Sequence, residues 1–162
     1  MKAPFTRIIP VAVLLFTLSP ALAQQANRHV EFETIAKYLT GGHAEKKNYV
    51  ITNREDWERL WDKVGSNSHP RPPAPEVDFS KYDLIAVFQG DQPSSGYSIS
   101  VTRLVRSGKR LKVYVREILP ADECRVLLVI TQPFEIIQTD KIENADRVVF
   151  KVRPEVTACQ QD

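Results

Sequence analysis

The chain has 162 residues, with 22 lysines and arginines against 20 aspartates and glutamates. Two of the basic residues, Lys2 and Arg7, lie in the N-terminal segment discussed next, and without them the two counts are equal at 20. This balance excludes the basic surface that nucleic-acid binding requires. No block of like charge is present that would attract an ionic partner.

The first 23 residues have the pattern of a secretory signal peptide. A positively charged start precedes an apolar stretch (8–22) and a small-x-small cleavage motif that ends at Ala23. Two prolines interrupt the stretch, which is also shorter than the roughly 20 apolar residues that a membrane-spanning helix needs. We expect cleavage after Ala23, no membrane span afterwards, and a single periplasmic or secreted domain of residues 24–162.

The two cysteines, Cys124 and Cys159, would face an oxidising compartment in an exported protein. A disulfide between them would fasten the C-terminal tail, predicted to be flexible from residue 154, to the loop after Pro120. Closing a loop of this length would contribute on the order of 3–4 kcal/mol to stability. The alternative is two independent thiols, because Cys159 lies three residues from the end of the chain.

In the first half of the mature chain, the apolar pattern predicts two strands and one helix. The strands cover residues 30–39 and 48–52, on either side of a Gly41-Gly42 turn. Thr52 and Asn53 each precede an acidic side chain by three residues, which is typical of a helix start. One apolar stripe follows at helical spacing, and Gly65 is predicted to end the helix; the stripe consists of Trp57, Leu60, Trp61 and Val64. We expect both tryptophans to be core residues rather than a platform for stacking sugars or bases.

Residues 66–77 are polar and contain four prolines, which favour an extended polyproline II path. Pro-x-x-Pro spacing is also the pattern that binds in aromatic grooves. In an exported protein, we expect a stiff surface connection instead.

The second half of the chain has the pattern of consecutive strands. Residues 84–88 are apolar without alternation, which indicates a strand covered on both faces, and residues 126–130 have the same character. The other predicted strands are 97–102, 111–118, 134–138 and 148–152, with a Ser107-Gly108 turn joining the first two as a hairpin. We therefore predict an α+β fold: a mainly antiparallel sheet of about six to eight strands, single-layered or partly rolled, with one amphipathic helix.

Patterns typical of catalysis or metal binding do not occur. The three histidines, His29, His43 and His69, are far apart and without a second ligand at helical spacing, so we expect exposed side chains, no metal and no cofactor. Ser94 and Ser95 lie in a glycine-flanked loop, but the strand that follows does not fit a nucleophile elbow. Carboxylates that are adjacent in sequence diverge on a helix or strand. We expect a protein that is not an enzyme, with a hydrolase as the least favoured alternative.

The loop of residues 90–97 is the best candidate for a binding element. Gly90 and Gly96 can adopt backbone angles that other residues avoid, and Pro93 limits the entropy of the loop. Tyr97 is a residue type enriched in binding hot spots. The alternative is an ordinary connection between strands, with Tyr97 packed into the core.

Several short motifs resemble, in the same order, those of the PrcB C-terminal domain family, over about residues 48–140. They are Trp57-x-x-Leu60-Trp61, Asp78-Phe79-Ser80, the 84–88 strand, Gly90 with Pro93-Ser94-Ser95-Gly96-Tyr97-Ser98, Pro120 to Cys124, and Thr131-Gln132-Pro133-Phe134. Ser95 stands where the family often has a second glycine. The resemblance implies an exported accessory domain that assembles with and stabilises a surface protease complex, and it implies no catalytic residues.

Residues 92–97 are also similar to the Asn-Pro-Thr-Thr-Gly-Tyr loop of chagasin-like cysteine-protease inhibitors, with Gln92 in place of Asn. In that family the loop enters the enzyme cleft and a later Arg-Pro-aromatic loop helps; Gln132-Pro133-Phe134 is a partial counterpart. Two hypotheses follow: an accessory module that docks an envelope protein, with a protease as the candidate partner, and a protease inhibitor. Both assign the interaction to Gly90, Gln92, Pro93, Ser94, Ser95, Gly96, Tyr97, Pro133 and Phe134.

Overall fold

The computed structural model describes residues 27–67, 70, 72–144 and 147–158. The predicted signal peptide, His69 and Cys159 lie outside the described residues. One α-helix and eight strands are present in the described part, which confirms the α+β fold class with a mainly antiparallel arrangement. The elements are β1 (Arg28–Val30), β2 (Phe32–Tyr38), β3 (Lys47–Ile51), α1 (Arg54–Val64), β4 (Tyr82–Phe88), β5 (Ser98–Ser107), β6 (Arg110–Pro120), β7 (Phe134–Asp140) and β8 (Val148–Thr157).

The strands form two four-stranded sheets, where the sequence predicts one sheet that is single-layered or partly rolled. The first sheet has the order β1-β5-β6-β8 and the second has the order β2-β7-β4-β3. Only the β6–β8 pair is parallel among the described strands. The predicted strand 30–39 is divided at Glu31, because β1 pairs with β5 in the first sheet and β2 pairs with β7 in the second.

The two strands on either side of Gly41-Gly42 do not pair with each other. β2 and β3 lie at opposite edges of the second sheet, separated by β7 and β4. Burial explains the arrangement, because the most apolar strands, β4 and β7, take the centre of the sheet and the more polar ones take its edges.

β4 is buried on both faces, as the sequence predicts. Leu84, Ala86 and Phe88 join a cluster that includes the apolar side of α1, and Ile85 and Val87 join a second cluster between the two sheets. Successive residues of a strand point to opposite faces, so a continuous apolar run is stable only between two covering layers. The molecule therefore has three layers: helix, second sheet and first sheet.

The helix begins as predicted, with Asn53 as its N-cap: the Asn53 Oδ1 atom accepts a hydrogen bond from the Asp56 N–H at 2.9 Å. The predicted stripe is the buried face of the helix. Gly65 has a φ of −80°, so it is not a left-handed cap, and the chain continues into a 3-10 turn (Gly65–Asn67). Both tryptophans are core residues.

A proline-rich strap, defined as residues 72–77, runs along one side of α1. The indole N–H of Trp57 donates to the Pro75 carbonyl, and that of Trp61 donates to the Pro72 carbonyl, both at 3.0 Å. These bonds satisfy the buried indole donors while the chain returns towards β4. The stiff surface connection predicted from the sequence thus has a structural partner in the helix.

The C-terminal region is more ordered than its sequence indicates. β8 continues through Pro154 to Thr157, so the tail predicted to be flexible from residue 154 is a strand over its first four residues. The Thr157 carbonyl accepts a hydrogen bond from the Ala121 N–H at 3.2 Å, which brings the end of β8 to the loop after β6. Pro154 lacks an N–H, and β8 is an edge strand of the first sheet, where a proline is tolerated.

Candidate protein-interaction surface

The loop predicted to bind a partner connects β4 to β5, and its first residue is tightly enclosed. Gly90 has a φ of +77°, and a Cβ atom placed on it would lie 2.7 Å from the Lys46 backbone nitrogen and 2.9 Å from the Ala44 carbonyl oxygen. The Asp91 N–H donates to the same carbonyl at 2.9 Å. Only glycine combines this φ with so close an approach of another chain segment.

A second loop, defined as residues 125–132, braces the first. Gln92 and Thr131 exchange two backbone hydrogen bonds, at 2.8 and 3.0 Å. Further along, the Ser95 N–H donates to the Leu127 carbonyl and the Ser95 hydroxyl accepts from the Leu127 N–H, both at 2.9 Å. The candidate loop is therefore part of a two-loop platform rather than a free extension.

The serine hydroxyls of the loop are used for local structure. The Ser94 side chain is buried, and its hydroxyl lies 3.1 Å from the Ser95 carbonyl oxygen, while the Ser94 carbonyl accepts from the Thr131 hydroxyl at 2.9 Å. The Ser95 hydroxyl binds the second loop, as described above. Within the described residues, neither hydroxyl contacts a histidine or a carboxylate that could activate it as a nucleophile.

The prediction of a buried strand at 126–130 is wrong. The side chains of Leu127, Leu128, Val129 and Ile130 are 72%, 92%, 49% and 67% exposed. The segment lies between tethers to Ser95 and Gln92 instead of along a sheet edge. Within the described part of the chain its backbone therefore joins no strand ladder, and its apolar side chains are exposed.

Two further exposed apolar residues lie next to this segment. Tyr38 and Leu39 are 59% and 54% exposed, and the Leu39 carbonyl accepts a hydrogen bond from the Gln132 N–H at 2.9 Å. We call these residues the apolar tip: Tyr38, Leu39, Leu127, Leu128, Val129 and Ile130. Single exposed apolar residues are ordinary, whereas four in consecutive positions with two more close by make this surface a candidate interaction site.

A groove of about 1260 Å³ adjoins the apolar tip. It lies over the face of the first sheet that is turned away from the second sheet, between Ser95 and Gly96 on one side and residues 123–126 on the other. Four charged side chains line it, and none of them forms an ion pair in the described part of the chain; they are Arg116, Glu123, Arg125 and Glu155. Their hydrogen-bonding capacity is available to a ligand or partner.

The structure separates the predicted interaction residues into exposed and buried groups. Pro93 and Gly96 are exposed, and Gln92, Ser95 and Tyr97 are partly buried. Gly90, Ser94, Pro133 and Phe134 are buried; Phe134 is only 1% exposed and stacks on Phe88 with ring centroids 5.5 Å apart. The prediction that residues 133 and 134 contribute to the surface is therefore wrong, because the alternation of β7 turns this ring into the helix-side core.

His43, predicted to be exposed, is buried behind the loop. Its Nδ1 lies 2.9 Å from the Glu45 carbonyl, which can only accept, so in the neutral ring Nε2 accepts from the Tyr49 hydroxyl at 2.7 Å. The ring stacks on Phe88 with centroids 4.4 Å apart. Burial, together with the charge of Glu45, raises the pKa of Tyr49. These contacts of His43 are structural, and no local sequence pattern predicts them.

The described residues contain no group of three or more side chains that could hold a metal ion. Glu117 is a buried carboxylate near the loop, and its Oε2 accepts from the Lys46 ammonium at 2.7 Å. Its Oε1 atom has no hydrogen-bond partner among the described residues. No second carboxylate is paired with it in the described part of the structure, so the arrangement does not form a general acid–base pair.

Cys124 lies in the loop that borders the groove and is disulfide-bonded. Cys159 lies outside the described residues, so the pair Cys124–Cys159 stays a prediction. The Ala121–Thr157 hydrogen bond supports it, because it brings the chain two residues before Cys159 next to the Cys124 loop.

Among the described helices, none has the length and apolar character needed to cross a bilayer. Comparisons with curated proteins and with solved structures each found no match. A family model described as PrcB C-terminal matches residues 84–140, from within β4 to the end of β7, and so includes both loops of the platform. The match covers about a third of the chain, and over this range it confirms the resemblance to the PrcB C-terminal family that the sequence motifs indicate.

Proposed function

We propose that this protein is an exported, non-catalytic accessory module that docks an envelope protein, with a protease as the candidate partner. The observation that carries the proposal is the apolar tip beside the braced 90–97 loop. The family match supports an accessory-type domain, and the signal-peptide pattern of residues 1–23 supports export.

The apolar tip has the composition of an interface core. Four consecutive aliphatic residues, 127–130, are about half to nine-tenths exposed, and Tyr38 adds an aromatic ring. A partner protein that covers this surface removes apolar area from water, which favours association by roughly 25 cal/mol for each Å² covered, before the entropy cost of binding.

The groove supplies the polar part of such an interface. Interface cores are apolar and their rims are polar, with arginine common at hot spots. Arg116 and Arg125 face the groove together with Glu123 and Glu155, so both signs of charge are present for a partner to match. We propose that the apolar tip anchors the partner and that the groove determines which partner fits.

An inhibitor of proteases is the second candidate function. Pro93 and Gly96 are exposed at the turn of the braced loop, where they could enter an enzyme cleft. The partial counterpart of the second inhibitory loop is not available, because Pro133 and Phe134 are buried. The accessory function is therefore favoured.

Affinity capture with the tagged mature chain tests the proposal. We expect envelope proteins captured by the native protein to be lost with Leu128→Asp, because a carboxylate at a 92% exposed position changes the tip without disturbing the core. Val149→Asp is the matched control, since Val149 is an exposed valine on β8, away from the tip. Equal capture by both variants would remove the tip from the proposed role.

Two further measurements distinguish the candidate functions. If the captured protein is a protease, an accessory module leaves its activity unchanged or stabilises it, while an inhibitor abolishes it. Tyr97→Ala and Pro93→Ala test the 90–97 loop separately from the tip. Normal capture by both of these variants, with unchanged thermal unfolding, would restrict the interaction to the second loop.

A further inference from the structure

A second candidate binding element is β3, the edge strand of the second sheet opposite β2. This strand pairs only with β4, so its outer edge has no strand partner among the described residues. A groove of about 300 Å³ runs along it, between Tyr49, Val50 and Ile51 of β3 and the facing side of α1. At a free edge, alternate residues direct their N–H and C=O groups outwards, where an added strand can bind them.

The helix lies alongside β3 and runs back along it. Only Thr52 and Asn53 separate the two elements. The Val64 carbonyl at the end of α1 accepts from the Gly42 N–H at 2.9 Å, which places the end of the helix near the start of β3. The part of β3 that lines the groove, Tyr49–Ile51, extends roughly 10 Å, and the whole five-residue strand extends roughly 17 Å, so a segment of about five extended residues would match the strand edge.

The groove is the open side of the helix. The proline-rich strap closes the opposite side, where it accepts the indole hydrogen bonds of Trp57 and Trp61. On the groove side, Ile51 and Leu60 form an apolar floor, each less than one-tenth exposed. A bound segment would therefore contact apolar side chains below and a free strand edge beside it.

The charges of the groove are asymmetric. Arg59 is neutralised by Glu55 and Asp56, with N···O distances of 3.3 and 2.8 Å. Lys47 and Lys63, in contrast, have no carboxylate within 4.0 Å in the described part of the chain.

These two lysines lie at the same end of the groove. Lys63 lines it together with Tyr49, and the Lys47 ammonium lies 5.3 Å from the centroid of the Tyr49 ring. This end, where β3 starts and α1 finishes, therefore has two lysines outside any ion pair of the described residues, and the Glu45 carboxylate is near enough to Tyr49 to raise its pKa.

We propose that the groove binds an extended polypeptide segment that adds to β3 as an antiparallel strand and ends in carboxylates. An antiparallel strand ends where β3 begins, so its C-terminal end lies beside Lys47 and Lys63. Main-chain hydrogen bonds to the strand edge provide the affinity, and the two lysines select an acidic end. This site is separate from the apolar tip, so it stands or fails independently of the proposed docking function.

A labelled synthetic peptide tests the proposal with the mature chain. The probe is Thr-Val-Thr-Val-Asp-Glu with a fluorophore at its N-terminus and a free C-terminal carboxylate, and binding is measured by fluorescence anisotropy at low salt. We expect saturable binding that weakens by about tenfold in the Lys47→Glu/Lys63→Glu variant, since two attractive contacts become repulsive. The Lys109→Glu/Lys151→Glu variant, with the same change of charge at exposed sites on the first sheet, is expected to bind as the native protein does.

Hydrogen exchange on the native protein tests the proposal without any substitution. We expect saturating peptide to slow exchange at amides of residues 47–51 and not at β8, an edge strand of the first sheet. The proposal is overturned if the peptide shows no saturable binding, if both double variants bind equally, or if residues 47–51 exchange as in the free protein.

Discussion

Residues 84–88 and 126–130 are two apolar runs of the same length, but the first is buried and the second is largely exposed. Each residue of the first run is at most 1% exposed, while residues 127–130 of the second are 49–92% exposed. Their compositions, Leu-Ile-Ala-Val-Phe and Val-Leu-Leu-Val-Ile, are both fully apolar and predict burial for each run. Apolar character alone therefore does not decide which run becomes core.

Backbone pairing explains the difference. The first run lies in β4, which pairs with β3 on one side and β7 on the other, between the helix and the first sheet. The second run is tied at its ends to Gln92 and Ser95 of a loop, so its middle has no ladder. A stable interior needs both covered faces and satisfied backbone groups, and only the first run has them.

The largest expected effect comes from truncating a leucine in each run. Leu84→Ala is expected to lower the free energy of unfolding by about 4 kcal/mol, because it leaves a cavity at a fully buried position. Leu128→Ala is expected to change it by less than about 0.5 kcal/mol, since the side chain already faces water. Urea unfolding of both variants measures the contrast, and similar losses would show that residues 126–130 are buried in solution.

The predicted disulfide fastens the loop that leads into the exposed run. Reducing the Cys124–Cys159 bridge is expected to lower stability by about 3 kcal/mol, because it releases the chain-entropy constraint. A Cys124→Ser/Cys159→Ser variant should unfold as the reduced native protein does. Alkylation followed by mass spectrometry counts the thiols directly, and two free thiols in unreduced protein would contradict the bridge.

Gly90, where the buried run leads into the 90–97 loop, is expected to be sensitive to substitution. Gly90→Ala is expected to cost about 2 kcal/mol, because the residue has a φ of +77° and the added Cβ would meet the Lys46 backbone. Gly108→Ala, at a φ of +58° in the β5–β6 turn, gives the cost of positive φ in an exposed hairpin. Thermal unfolding compares the two variants. An equal or smaller loss at Gly90 would mean that the loop relaxes away from Lys46.

The smallest expected effect is a pH dependence of stability that comes from Tyr49, on the strand next to the buried run. Burial and Glu45 raise the pKa of Tyr49 in the folded protein. The stabilisation by the neutral phenol is therefore complete below the unfolded pKa of about 10 and is lost as pH rises through the higher folded pKa. Relative to Tyr49→Phe, the native protein is expected to lose stability above about pH 10. If the difference in free energy of unfolding between the native protein and Tyr49→Phe stays constant from about pH 8 to 11, this prediction is contradicted.

Local signals predicted most of the individual elements. The Asn53 cap and the spacing from Trp57 to Val64 gave the helix, and the turn at Ser107-Gly108 gave the β5–β6 hairpin. Such patterns are sufficient because the interacting residues are close in sequence. The burial of His43 and Phe134 could not be predicted in this way, because the one depends on Tyr49 and Phe88 and the other on the arrival of β7 beside β4.

The amino-acid sequence by itself determined the balanced charge, the export signal pattern, the helix, the position of most strands and the family motifs of residues 84–140. Only the tertiary structure decided the division into two sheets at Glu31 and the parallel pairing of β8 with β6. It also decided that residues 84–88 are buried and residues 127–130 exposed. The physical reason is the same in each case. Strand pairing and burial depend on partners far away in the chain, and an apolar residue becomes core only where such partners supply both a hydrogen-bonded ladder and a covering layer.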